Sequence, residues 1–310
     1  MTGGAMAQRV AFLWVAVVWV AVLAAVLAMV PACQRQDKRL VIGSKNFTEQ
    51  VILAEIVAQH LEVRTHLPVQ RRVNLGGTLI CHQALRAGEI DLYVEYTGTA
   101  LTAILDQEPS GDRALVYRRV AGAYREQFDL EWTEPLGFNN TFAIVVRGED
   151  ARRLGLKTIS DAAPHAPGWR AGFGYEFIER PDGFAGLAKT YGLEFGQPPR
   201  TMELGLLYRA LIEKQVDFVA GNSTDGALAA LDLTMLEDDR HYFPPYEAAP
   251  VVRRATIERH PEAREALREL GGKISEEEMQ QMNGAVDGEG RDPKQVAGEF
   301  LAAKGLGGPR

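Results

Sequence analysis

Cys81 and His82 are the residues of this chain that come nearest to a nucleophile beside a base. The pairing fails on geometry, because adjacent residues point to opposite faces of a strand and diverge on a helix. No other histidine stands close in sequence, so Cys81 is expected to be a small buried hydrophobe. Glu276-Glu277-Glu278 is a run of carboxylates in a helix-like stretch, which reads as a solvated helix face and not as a cation site. The six histidines are scattered, and a metal site is not expected. No Gly-x-Ser-x-Gly, His-Glu-x-x-His or phosphate-binding loop occurs. The expectation is therefore a protein that is not an enzyme, with no catalytic residues, no cofactor and no metal. Recognition chemistry remains. Lys45 stands in Ser44-Lys45-Asn46-Phe47, between an apolar run and a helical one, and Tyr96-Thr97-Gly98-Thr99 occupies the same kind of place. Loops leading from strand to helix gather at the carboxyl ends of the strands in α/β folds, where ligands bind.

The elements that hold these loops follow from pattern. Arg39–Gly43 is a short apolar run ending in glycine, which predicts a buried strand. Val51–Ala58 carries helical periodicity, with Thr48 as the expected N-cap and Glu49 in the first turn. Gln70–Asn74 predicts a strand, Leu75–Thr78 a turn, Leu79–Ala87 a helix and Ile90–Val94 a third strand, with a helix from Ala100. After Gly137–Phe142 a second unit begins. Ala143–Val146 predicts a strand, Lys157–Ala163 a helix start, Trp169–Tyr175 a strand, and Gly183–Tyr191 and Met202–Ile212 helices. Phe218–Val219 is expected to open a loop region, and Asp225 to cap the helix after it. Tyr191 and Tyr208 are expected to pack in the core. His241–Tyr246, with two prolines, is extended, and His260–Gly305 is helical. Alternating strands and helices argue for parallel sheets. Two such units imply two lobes with a cleft between them, the default place for a ligand.

Composition narrows the field. The chain has 310 residues, 46% hydrophobic and 24% charged, which fits globular domains and excludes a disordered chain or a multi-span membrane protein. A net charge of −7 argues against nucleic-acid binding, which needs a basic face. Two cysteines exclude a disulfide-stapled scaffold. Val10 to Val30 is unbroken apolar sequence, preceded by Arg9 and followed by Pro31-Ala32-Cys33. Residues 1–33 thus read as an export signal, although such a run is also long enough to span a bilayer. Val30-Pro31-Ala32-Cys33 resembles the lipobox of bacterial lipoproteins. Three readings stand: a lipidated Cys33, a retained helical anchor, or ordinary cleavage. Each puts the rest of the chain in the periplasm or otherwise outside the cytoplasmic membrane.

Seven strings in collinear order resemble one family: GSKNFTEQ at 43–50, NLGGT at 74–78, YVEYTGTA at 93–100, GFNNTFA at 137–143, ERPDG at 179–183, STDG at 223–226 and FPPY at 243–246. The family is the substrate-binding proteins of ABC importers for glycine betaine, choline and related quaternary amines, in its osmoprotection branch and including its low-affinity members. The resemblance implies a type II periplasmic-binding-protein fold, with two α/β lobes around a ligand cleft. It places the first lobe at 38–140 plus 247–310 and the second at 141–246, with crossings near 139–141 and 244–247. It also implies an ABC permease transmembrane subunit as partner, no nucleic acid, a monomer, and membrane contact only through the N-terminal anchor or lipid.

A quaternary ammonium has no N–H to donate, so aromatic faces must hold it through cation–π attraction, each at about 0.5–2 kcal/mol. A carboxylate end needs Arg, Lys or hydroxyl donors. In close relatives the cation box is four tyrosines. The matching positions here are Tyr96, Phe142, Asn222 and Tyr246, so Phe142 loses a hydroxyl and Asn222 loses the ring. One missing wall costs roughly 1–2 kcal/mol, about ten-fold in affinity, unless Tyr93, Phe173 or Tyr175 substitutes. The resemblance assigns Lys45, Thr99 and Arg180 to the anionic end, Tyr96, Phe142 and Tyr246 to the cation, and Asn222 to a polar wall suited to a hydroxyl or N–H. The alternatives are the same fold with a choline-like ligand or another small zwitterion, and a sensor lipoprotein that binds without transport.

Overall fold

A computed structural model describes residues 39–307. The apolar run, Cys33 and the signal or anchor readings attached to them lie outside the described residues. The described residues start with strand β1 (Leu40–Lys45), helix α1 (Thr48–Thr65), β2 (Val69–Gly76), α2 (Thr78–Ala87) and β3 (Leu92–Tyr96). Helix α3 (Arg113–Phe128) and β4 (Leu130–Trp132) complete this passage. The second passage holds β5 (Phe142–Arg147), α4 (Gly148–Leu154), β6 (Ala171–Phe173), α5 (Tyr175–Glu179) and α6 (Phe184–Tyr191). It continues through β7 (Arg200–Thr201), α7 (Leu207–Ile212), β8 (Phe218–Asn222) and β9 (Leu233–Leu236). The return strand β10 (Ala248–Arg253) leads to α8 (Pro261–Glu269), α9 (Glu276–Asp287) and α10 (Pro293–Ala303).

Two five-stranded sheets result, ordered β2-β1-β3-β10-β4 and β7-β6-β8-β5-β9. Each sheet with its covering helices forms a lobe. The expectation of parallel sheets needs correction. β1 runs parallel to β2 and β3, but β10 is antiparallel to β3 and β4. In the second sheet β6 is parallel to β7 and β8, while β5 is antiparallel to β8 and β9. The antiparallel members are the strands where the chain enters one lobe or returns to the other. The two passages between lobes run side by side: Asn139 bridges Glu247, Asn140 N donates to Tyr246 O at 3.0 Å, and Tyr246 N donates to Asn139 Oδ1 at 2.6 Å.

Helix α1 anchors the first lobe. Ile52, Leu53, Ile56, Val57 and Leu61 recur at helical spacing and are fully buried. They pack against Leu40 and Ile42 of β1 and against the tail helices through Leu267, Met279, Phe300 and Leu301. The helix ends at His66 in the left-handed region (φ 57), with Pro68 following. The second core gathers Ile144, Val146, Phe173, Phe177, Leu187, Tyr191 and Phe218.

Several local expectations are revised. The N-cap of α1 is the extended Phe47, and Thr48 instead donates its hydroxyl to Asp287 Oδ1 at 2.5 Å. Phe218–Val219 begins strand β8, not a loop; a five-residue run carries too little period to declare itself. Only Ala171–Phe173 of the expected 169–175 strand is extended, because Tyr175 opens α5. Met202–Ile212 is helical only from Leu204, and Thr97–Ile104 is helical from its start, turning π-helical at Ala100. Glu276–Glu278 form the first turn of α9, whose Ser275–Glu278 capping box is complete. No helix among the described residues is long and apolar enough to cross a membrane.

Candidate functional site

The strand ends of both sheets converge on one cavity of about 830 Å³, counting its open mouth. Lys45 closes β1, Tyr96 closes β3, and Thr99 lies in the short helix after it. Phe142 opens β5, Asn222 closes β8, Arg180 follows α5 and Tyr246 precedes β10. All seven residues expected from the sequence line this cavity. Phe142 and Asn222 are paired directly across the antiparallel β5–β8 ladder, so their side chains share one face. Of the three candidate substitute rings, only Tyr175 lines the cavity. Tyr93 is fully buried and donates to Glu95 Oε2 at 3.0 Å, and Phe173 is fully buried in the second core.

The expected rings are held in fixed orientations. Phe142 meets Tyr246 edge-on at 5.7 Å and Phe177 at 4.8 Å, and Phe47 stacks on Tyr96 at 6.4 Å. Tyr246 donates its hydroxyl to Asp182 Oδ2 at 2.6 Å. Each of the three rings already faces a cation of the protein. Lys45 Nζ lies 5.1 Å from the Tyr96 centroid, and the Arg180 guanidinium lies 5.0 Å from Phe142 and 5.9 Å from Tyr246. The faces that would attract a ligand's ammonium thus attract these groups as well.

The expected cations are themselves paired. Lys45 Nζ donates to the fully buried Glu95 at 2.5 Å. Arg180 makes a bidentate pair with Asp182 at 2.8 and 2.6 Å and donates from Nη1 to Thr99 Oγ1 at 3.1 Å, across the cleft. Burial opposes the charged form of Asp182, but its bonds to Arg180 and Tyr246 outweigh that cost and hold its carboxyl below the ordinary value. Each cation keeps N–H donors beyond those its carboxylate takes.

Asn222 is fixed from behind. Asp225 accepts from its backbone N–H at 2.8 Å and its Nδ2 at 3.3 Å, and from Tyr208 Oη at 2.7 Å. Asp225 therefore does not cap the helix after it, which starts with no side-chain cap. It holds the Nδ2 end of the Asn222 amide through one of its two N–H groups. Burial pushes the Asp225 carboxyl up to about 6.

Glu49 is a site residue that sequence reasoning placed only in a helix turn. Its buried carboxylate accepts from Tyr96 Oη at 2.6 Å, Asn140 Nδ2 at 2.8 Å, Thr224 Oγ1, and Asn283 Nδ2 at 3.1 Å. These donors come from the first sheet, the first passage, the second lobe and the tail helix α9. Burial raises its carboxyl above the ordinary range despite the four bonds. Phe47, Asn140, Glu176 and Phe177 also line the cavity. Phe47 and Asn140 sit inside quoted motifs and were legible there, whereas no motif covers Glu176 or Phe177. Cys81 is fully buried, with its thiol pushed up to about 12 by burial, so it lacks the character of a nucleophile.

This geometry agrees with what the chain resembles. Residues 38–303 match the family model OpuAC, the substrate binding domain of ABC-type glycine betaine transport systems. The chain is 36% identical over 285 residues to the ergothioneine transport permease/ergothioneine binding protein EgtU of Helicobacter pylori, covering 92% of this chain and 51% of that protein. The chain thus spans about half the length of that relative. It is 38% identical over 276 residues to a glycine-betaine-binding protein of Pseudomonas aeruginosa, covering 86% of this chain and 88% of the relative. A solved structure of a glycine betaine/carnitine/choline ABC transporter superposes with a TM-score of 0.73 at 36% identity, covering 86% of this chain and 99% of that one. Two mixed α/β lobes, a cleft at their strand ends and a family match across the described chain lead to one conclusion: the protein belongs to the family of substrate-binding domains of ABC-type glycine betaine transport systems.

Proposed function

We propose that this chain binds glycine betaine or a related quaternary-amine osmolyte between its lobes, outside the cytoplasmic membrane, and delivers it to an ABC permease. The observation that carries this reading is the convergence of all seven expected residues on one cavity. Tyr96, Phe142 and Tyr246 receive the ammonium, and Lys45, Thr99 and Arg180 receive the anionic end through their remaining donors. Asn222 forms a polar wall. The lobes at 38–140 plus 247–310 and at 141–246 swing about the paired passages, and bonds available only on closure let the ligand select the closed form. The chain acts as a monomer, held at the membrane by a lipid on Cys33 or a retained helix, or released by cleavage.

A second reading keeps the site and changes the ligand. The Asn222 carbonyl oxygen, with Nδ2 held by Asp225, is an acceptor at the place where close relatives carry a ring. Asn140 Oδ1 is a second buried acceptor in the cavity wall, without a partner. Both suit a quaternary amine that carries a hydroxyl or N–H, and relatives named for ergothioneine and for carnitine or choline fall in that class. Uptake of labelled glycine betaine, carnitine and choline, in cells with and without the chain, tests both readings. Chain-dependent uptake of glycine betaine supports the first and uptake of the hydroxylated amines alone supports the second. No chain-dependent uptake with retained binding points to the sensor.

A further inference from the structure

We propose that Glu176 is a built-in charge filter, a second-lobe carboxylate whose negative charge stands in the same cavity as Lys45, Thr99 and Arg180 and opposes a ligand's own carboxylate there. This rests on the quaternary-amine reading of the cleft. Glu176 lies in the first turn of α5 and lines the cavity. Its Oε1 accepts from Thr78 N at 2.5 Å, and its Oε2 lies 3.5 Å from Thr78 Oγ1. Thr78 opens α2 on the opposite lobe, and the N-cap of α2, Gly77, supplies no side chain to its free N–H groups. The start of a helix attracts negative charge. A Cβ on Gly77 would collide with Glu176 Oε1, so the glycine is what admits the carboxylate to the helix end.

The ion pairs of Lys45 and Arg180 differ from this contact. Lys45 is paired with Glu95 and Arg180 with Asp182, and each pair lies within one lobe and survives separation of the lobes. The Glu176 contact spans two lobes, so it is made and broken with closure. A glycine betaine carboxylate received by Lys45, Thr99 and Arg180 shares the cavity with this negative charge and is repelled by it. A ligand with a neutral hydroxyl in place of the carboxylate meets no such repulsion. Glu176 therefore tilts selectivity away from zwitterions and toward quaternary amines without a carboxylate.

The test is calorimetric titration of the full chain, held in mild detergent, with glycine betaine and with choline. It is repeated on Glu176→Gln, which keeps the length and one acceptor for Thr78 N, and on Glu176→Ala. Both variants are expected to shift the choline-to-betaine ratio of Kd values by about ten-fold in favour of betaine. A role confined to holding the lobes together would change both Kd values by the same factor and leave the ratio where it was. An unchanged ratio in both variants, with both ligands still binding, overturns the filter and leaves the binding reading intact. Binding of neither ligand by the unaltered chain overturns the quaternary-amine reading, and the filter falls with it.

Discussion

Replacing Glu49 by glutamine perturbs a side chain that ties Tyr96 to the second lobe and to the tail. Oε1 serves Tyr96 and Asn140, and Oε2 serves Thr224 and Asn283. A glutamine offers one oxygen and one NH₂. The oxygen belongs on the Tyr96 side, because Asn283 Nδ2 keeps a second acceptor in Thr224 O at 2.9 Å and the Thr224 hydroxyl rotates to accept from the new NH₂. The loss is one bond outright together with the charge assistance of the rest. At about 1.5–3 kcal/mol for a bond to a charged group, partly offset by no longer burying a charge, Glu49→Gln costs about 2 kcal/mol. Glu49→Ala strands the donors of Tyr96, Asn140 and Thr224 in burial, at about 1–3 kcal/mol each, and costs more than the glutamine. Urea unfolding reads both as midpoint shifts at constant slope. The pH dependence has a definite sign. Burial raises the Glu49 carboxyl above 4.5, so its contribution to stability is full below 4.5 and is lost as pH rises through the raised value. Glutamine has no such dependence, and the cost of Glu49→Gln shrinks as pH rises through that raised value. Glutamine and alanine variants as stable as the parent across the pH range would refute the reasoning.

Three further outcomes follow from the same geometry. Asn222→Tyr restores a ring opposite Phe142 on the shared face of β5–β8 and should tighten glycine betaine about ten-fold; unaltered or weaker binding means the cation is held by other groups. Asp225, pushed up to about 6 from 3.8 by burial, contributes stability that is present below 3.8 and lost as pH rises through about 6. That amounts to about 3 kcal/mol, and the fall of Tm across this window should flatten in Asp225→Asn; equal slopes contradict the assignment. Cys81 should resist iodoacetamide in the folded chain and react on unfolding, whereas fast alkylation mapped by mass spectrometry to Cys81 in the folded chain, and not to Cys33, would contradict its burial.

The first lobe was legible where an apolar run is followed by a helical period; Leu40–Lys45 into Thr48–Thr65 is the clearest case. β4, β7 and β9 are two to four residues long and carry no readable period. The insertion of β10 between β3 and β4 is a long-range pairing with no local signal. The same distinction runs through the site. The seven expected residues came with motifs, and they share a cavity. Their partners Glu49, Glu95, Asp182 and Asp225 lie inside the same motifs, but no motif says which side chain each will face. Glu49 reads as a first-turn acid until Thr224 and Asn283 are brought to it, and Glu176, which no motif covers, gains its partner only when Thr78 of the other lobe meets it. Asp225 looked like a cap because Asp before a short helix usually is one; the nearby Asn222 and Tyr208 claim it instead.

The central claim is that a quaternary ammonium rests against Tyr96 between the lobes. The most direct test is a paired calorimetric titration of the full chain and of Tyr96→Ala with glycine betaine, with far-UV circular dichroism to verify that both are folded. The account predicts saturable one-to-one binding by the parent and at least about ten-fold weaker binding by the variant. Equal affinity in the two proteins, or no heat from the parent up to tens of millimolar ligand, would contradict it.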